Sequence, residues 1–162
     1  MQYKIGLDTS VLVNLYVKNI DIASFIKSMP NNSEFYYCHK NETEFKGVLK
    51  REYRKSDREA NLAWDELSDE LDLEMISWKS EINSFIERIK KVSEKIDKDR
   101  NQGFTQTFKI GDGDLEIIAY FMAGGLDRIY TSDNAFFLTC KVLDLNAIKL
   151  KVSDYSVIKL KV

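Results

Sequence analysis

The chain has 162 residues, 44% of them hydrophobic, and its 26 acidic and 24 basic side chains leave a formal net charge of −2. That length suits one domain with a single substantial core, and a slightly acidic chain has no overall field to attract polyanions, so any nucleic-acid contact must come from a local basic patch. No apolar run reaches the roughly 18 residues of a membrane span, and the N-terminal stretch lacks the basic start and long apolar middle of a signal peptide, so a cytoplasmic protein with no membrane partner is expected.

"YKIGLD" reads as a short buried strand that runs directly into "TSVLVNLYVKN". There Thr9 and Ser10 are able to cap a helix carrying Val11, Leu12, Leu15 and Tyr16 at helical spacing. "DIASFIKSM" predicts a second short helix, stopped at "PNNS" by the only proline of the chain. "EFYYC" is a β-favouring run, and a long charged helix from about Asn41 to Arg58 follows it. Helical periodicity continues through "NLAWDELSDEL" and "EINSFIERIKKVSEKI", which makes a charged helical middle at about 56–102 that ends in the polar loop "NQGFTQTF". Next comes "IGDGDLEIIAYFMAGG", an acid-rich start to an apolar helix closed by Gly124 and Gly125 in the C-cap role. Of its acids, Asp112 is assigned the N-cap. "DRIYTSD" and "NAIKLKV" are later strands, and the repeated "IKLKV" suggests a terminal hairpin. Strand and helix alternate along most of the chain, which predicts an α/β fold: a three-layer α/β/α sandwich over residues 1–162 with a central, mainly parallel sheet.

Exclusion narrows the chemistry. His39 is the only histidine, so nucleophilic schemes that need a histidine base would all depend on it; at the end of a predicted strand, it is read as structural or as a substrate contact. "GDGDLE" places Glu116 where a dinucleotide-binding loop needs its last glycine, and the chain has no P-loop. Cys38 and Cys140 sit in or beside apolar segments, as buried reduced thiols do, and with one histidine they make no zinc cluster. Hard oxygen ligands remain.

Ligands of an open parallel sheet bind beyond the carboxyl ends of its strands. Asp8 follows the first strand, Asp133 follows "RIYTS", Glu44 lies soon after "EFYYC", and Asp114 opens the helix that feeds the "RIYTSD" strand. All four converge on one edge. Like charges about 4 Å apart repel by roughly 4 kcal/mol at an effective dielectric near 20, so such a group requires a cation. Carboxylates and retained water suit Mg²⁺ or Mn²⁺, the ions that activate water for phosphodiester hydrolysis. The constellation points to a metal-dependent nuclease.

"IGLDTSVLVNLY" resembles the first motif of PIN-domain ribonucleases, "NETEFKGVL" their second, and "GDGDLEIIAYFMAGGLDRIYTSDNAFF" their third and fourth, in the right order over almost the whole chain. The resemblance implies a PIN-like domain and an endoribonuclease, a VapC-like toxin or a related enzyme, that cuts RNA. It further implies an antitoxin partner and a homodimer for a member of a toxin–antitoxin pair. Asp8, Glu44, Asp114 and Asp133 would be the metal ligands, with Thr9, Ser10, Asp112 and Thr131 in support. Glu42 competes with Glu44, which is preferred because Phe45 follows it; Asp112 competes with Asp114, which is preferred because "LEIIAYF" follows it. A catalytically silent PIN-like module that binds RNA or a protein is the alternative.

Two basic clusters offer phosphate contacts. The first, Lys46, Lys50, Arg51, Arg54, Lys55 and Arg58, begins beside Glu44, which favours it over the second, Arg88, Lys90, Lys91, Lys95, Lys98 and Arg100. Interleaved acids also fit both as solvated helix faces. Tyr53 is placed to stack on a base, and Trp64 and Trp78 to mark a partner surface. Phe85, Phe104, Phe108, Tyr120 and Phe121 are read as packing.

Overall fold

The computed structural model describes residues 2–101, 110–153 and 157–159. Six strands form one sheet: β1 (Tyr3–Leu7), β2 (Ser33–Tyr37), β3 (Glu74–Met75), β4 (Arg128–Thr131), β5 (Ala147–Val152) and β6 (Val157–Lys159). Their order across the sheet is β3-β2-β1-β4-β5-β6, and every pairing is parallel except the β5–β6 hairpin. The hairpin bears out the expectation drawn from the repeated "IKLKV". Seven helices among the described residues connect these strands: α1 (Thr9–Val17), α2 (Ile22–Lys27), α3 (His39–Glu52), α4 (Asp57–Leu71), α5 (Ile82–Asn101), α6 (Asp112–Gly124) and α7 (Asn134–Val142).

Alternation along each strand divides the core into two layers. Ile5, Leu7, Phe35 and Tyr130 face a cluster built by α1, α2, α3 and α4, which includes Phe45, Leu49 and Trp64. Ile129 and Ala147 face a second cluster, where Ile82, Ile89, Phe121 and Phe136 come from α5, α6 and α7. The fold is therefore the expected three-layer α/β/α sandwich. The charged helical middle divides between the layers: α4 buries Ala60, Ala63, Trp64, Leu67 and Leu71 on one face, and α5 buries Ile82 and Ile89 on the other. No described helix is long and apolar enough to cross a membrane.

Four local expectations are corrected. The helix expected over Asn41–Arg58 breaks at 53–56, where Arg54 takes a left-handed φ of 54° and Ser56 opens α4 in a capping box with Glu59. Thr9 and Ser10 lie inside α1, and the cap is Asp8. Gly125, at φ 61°, is the C-cap of α6, whereas Gly124 is the last helical residue. Trp64 is core, edge-on to Tyr37 and Phe45, and only Trp78 of the two tryptophans is exposed. The two-residue strand β3 was not anticipated. Most of the loop expected at 101–108, with Phe104 and Phe108, lies outside the described residues, whereas Tyr120 and Phe121 are buried as expected.

Gly6 brings α6 close to the sheet. A Cβ there would stand 2.6 Å from Leu126 Cδ1 and 2.9 Å from Phe121 Cε2. Gly6→Ala is expected to cost about 1–3 kcal/mol through overpacking, and at this chain size each kcal/mol lowers Tm by about 2–4 °C. Thermal unfolding followed by circular dichroism measures the loss; an alanine variant that melts with wild type would mean this layer yields freely.

Candidate metal centre

The site lies beyond the carboxyl end of β1. The ladder between β1 and β4 runs one step past the strand, where the Asp8 N–H donates to the Tyr130 carbonyl at 3.0 Å. Asp8 is thereby fixed at the mouth of the sheet with 1% of its surface exposed. Its Oδ1 accepts from the Thr9 N–H at 2.7 Å, and its Oδ2 accepts from Ser10 Oγ and Thr131 Oγ1, both at 2.8 Å. Those two hydroxyls extend the network: Ser10 Oγ accepts from the Ser132 N–H at 3.1 Å and Thr131 Oγ1 from the Asp133 N–H at 3.0 Å. Asp133 caps α7 by accepting from the Phe136 N–H at 2.7 Å. Thr9, Ser10 and Thr131 thus each donate a hydrogen bond to Asp8.

Asp8, Glu44, Asp114 and Asp133 line one cavity of about 320 Å³, together with Thr9, Ser10, Val13, Asn14, Val48, Glu52 and Tyr53. Glu52 is a fifth acid that the sequence reading missed, although it lies two turns beyond Glu44 on the same helix face. A larger cleft of about 510 Å³ lies alongside and shares Tyr53, with Leu15, Leu49 and Leu67 among its lining residues. The carboxylate chemistry belongs to the smaller cavity.

The competing acids separate clearly. Glu42 turns to the helix surface and pairs with Lys46 at 3.0 Å, while Glu44 faces the cavity. Asp112 is exposed and is not the cap assigned to it: Gly111 holds the N-cap position of α6 without a side-chain bond, and Asp112 is the first helical residue. Asp114 lines the cavity. Between the two aspartates, Gly113 explains the spacing of the motif. A Cβ at Gly113 would stand 2.7 Å from Glu44 Oε1, so the missing side chain is what lets α3 deliver Glu44 beside α6.

Basic candidates are absent from the cavity lining. Lys46 and Lys50 are paired with Glu42 and Asp57, each at 3.0 Å, and Arg54 is exposed on the turn between α3 and α4. Arg51 lies over Gly47, and its charge partly offsets that of Glu44. The second basic cluster rides on α5, on the other face of the sheet, and the side chains of Lys98 and Arg100 lie outside the described residues. His39 opens α3 with Nε2 3.6 Å from Glu116 Oε1 and its ring edge-on to Tyr120.

Burial pushes the Asp114 carboxyl up to about 8, with Asp8, Glu44 and Asp133 adding repulsion. Burial raises Asp8 to about 6, against the bonds from Ser10 and Thr131, with Asp133 adding to the rise. Glu44 is raised by burial and by Asp8. Its Oε1 is buried and has no hydrogen-bond partner. Among the described residues, no three histidine, cysteine, aspartate or glutamate side chains stand close enough to hold one ion as placed. The acids share a cavity and a field, not a finished coordination shell. An oxygen-only donor set, mutual repulsion and one unserved buried oxygen are what a hard divalent cation would relieve, so the residues fit Mg²⁺ or Mn²⁺.

The chain has the PIN-like fold, with the acid pocket at its sheet edge. Among solved structures it is similar to VapBC-1 from nontypeable Haemophilus influenzae, at 15% identity and a TM-score of 0.64 over 90% of this chain and 97% of that one. It is also similar to VapBC2 from Rickettsia felis, solved with a DNA fragment from their promoter, at 15% identity and a TM-score of 0.62 over 89% and 96%. FitAcB from Neisseria gonorrhoeae gives 12% identity and a TM-score of 0.51 over 88% and 95%. At these identities the likeness establishes the fold. No protein-family model and no curated protein matches the chain.

Two outcomes follow from this geometry. Asp8 and Asp114 have raised pKa values in the folded chain, so their contribution to stability is full below the unfolded value of about 4 and is lost as pH rises through about 6 and 8. With chelator present, Tm should fall between about pH 5 and 8.5, and Mn²⁺ should restore it more at the upper end; a level or rising Tm would contradict this electrostatic account. Gly113→Ala moves only the flexible end of Glu44 and improves helix propensity by up to about 1 kcal/mol. Its Tm should hold or rise while Mn²⁺ affinity, read by calorimetry, falls; unchanged affinity would mean Glu44 has no part in binding.

Proposed function

We propose that the protein is a metal-dependent endoribonuclease of the PIN type that hydrolyses RNA phosphodiester bonds and acts as the toxin of a toxin–antitoxin pair. The observation that carries this is the convergence of Asp8, Glu44, Asp114 and Asp133, from four separate elements, on one cavity at the carboxyl edge of the sheet. Similarity to VapBC-1 and VapBC2 supports the toxin reading and, with it, an antitoxin that covers the pocket and a homodimer. Asp8, Asp114, Glu44 and Asp133 would hold Mg²⁺ or Mn²⁺. When bound, such an ion supplies an acidified water and positive charge for the phosphoryl oxygens.

The remaining work falls to the chain. Ser10 and Thr131 aim Asp8 by donating to one of its oxygens, so this ligand does not reorganise when it is engaged. Glu44 Oε1, which no donor serves, orients a water or accepts its proton. Tyr53, 43% exposed at the cavity rim, offers a face for an unstacked base. Lys46, Lys50, Arg51 and Arg54 lie on α3 or the turn after it and hold the approaching backbone, Lys46 and Lys50 by exchanging their surface acids for phosphate.

Cleavage of a labelled single-stranded RNA by wild type, Asp8→Asn and Asp114→Asn, with Mn²⁺ present or chelated, tests the proposal. Cleavage should require the metal and should fall more than about 100-fold in both variants, beyond the usual cost of losing an outer partner. Wild type that binds RNA without cutting it would favour the silent module, and folded variants that cut as wild type does would remove these acids from the chemistry.

A further inference from the structure

Asn41 is a fully buried polar side chain outside the four-acid set, with none of its surface exposed. It occupies the third position of α3, and its Oδ1 reaches back to accept from the Cys38 N–H at 2.9 Å. Helix capping needs only that acceptor, which glutamate, glutamine or aspartate would also supply. Asn41 also uses its donor end: Nδ2 donates to Thr9 Oγ1 at 3.1 Å and reaches the Leu7 carbonyl at 3.5 Å, across 32 and 34 residues of sequence. Leu7 and Thr9 are the two neighbours of Asp8, and Thr9 also donates its N–H to Asp8 Oδ1. Glu44 follows Asn41 by three residues, one helical turn along α3. A single amide therefore joins the turn that presents Asp8 to the helix turn that presents Glu44.

We infer that Asn41 is a positioning residue that fixes the separation of Asp8 and Glu44 and so sets the affinity of the pocket for a divalent cation. The inference rests on the metal-centre reading above. An aspartate at 41 would keep the shape and the cap acceptor but could not donate to Leu7, and it would add a charge beside Asp8. Thr9→Val removes the side-chain partner of Nδ2 and leaves the cap untouched.

Calorimetric titration with Mn²⁺ is the test, run on wild type, Asn41→Ala, Asn41→Asp, Thr9→Val and Phe25→Leu, a change at a buried α2 side chain outside the cavity lining, each checked for folding by circular dichroism. Loss of an outer partner that orients a ligand typically weakens metal affinity 10–100-fold. The Asn41 variants should fall in that range, Thr9→Val should shift the same way by less, and Phe25→Leu should lower Tm while leaving affinity unchanged. If folded Asn41→Asp and Thr9→Val bind Mn²⁺ as wild type does, the inference fails and the metal centre stands. Should wild type itself bind no Mn²⁺, the metal centre fails and the inference with it. Affinity lost equally in Phe25→Leu would reduce Asn41 to a contributor to general stability.

Discussion

Asp8 is a carboxylate with almost no contact with water, held at the end of the central strand by three donated hydrogen bonds in a cavity that four other acids share. Burying such a charge is costly unless it is bonded and paired. Its bonds are provided by its own helix start and by Ser10 and Thr131; its pairing is not, because the charges it faces are negative. This deficit organises the surroundings. The hydroxyls lean on the backbone of the β4–α7 turn, so the β1 and β4 ends are locked to each other through one side chain. The strands beneath are kept in register by the same contact that aims the acid.

The remaining acids reach the cavity by different local solutions. Asp133 is occupied as a helix cap and enters the site with one oxygen committed. Glu44 arrives from a helix on the other side of the sheet and requires a bare backbone at Gly113 to pass. Asp114 sits in the first turn of α6, where the helix dipole favours a negative charge, yet burial and its neighbours outweigh that help and its pKa is raised. The cavity is therefore a compromise: helix starts supply partial positive charge, and repulsion among the acids remains.

Strand and helix identity, layer arrangement and the four converging acids were legible because they depend on short-range pattern: apolar runs, helical spacing, and acids directly after strands. What escaped notice depends on distance or on absence of pattern. Strand β3 is two exposed residues paired with the end of β2, so no alternation marks it. The break after Glu52 had a local signal in Ser56 and Glu59, but unbroken charge periodicity across it read as one helix. Trp64 looked like a surface marker beside charged residues, and only the fold reveals Tyr37 and Phe45 packed against it. The role of Gly113 is invisible without Glu44, nearly seventy residues earlier, and the duties of Asn41 are invisible without the β1–α1 turn.

The pairing of β1 with β4 has a temporal consequence. Ile5 stands opposite Arg128, so the middle of the sheet closes between segments that a ribosome delivers more than a hundred residues apart. Until the "RIYTSD" segment emerges, Asp8 lacks its Thr131 donor and the cavity lacks Asp133. The architecture thus makes assembly of the acid pocket wait on β4: a growing chain carries the parts of the site long before it carries the site.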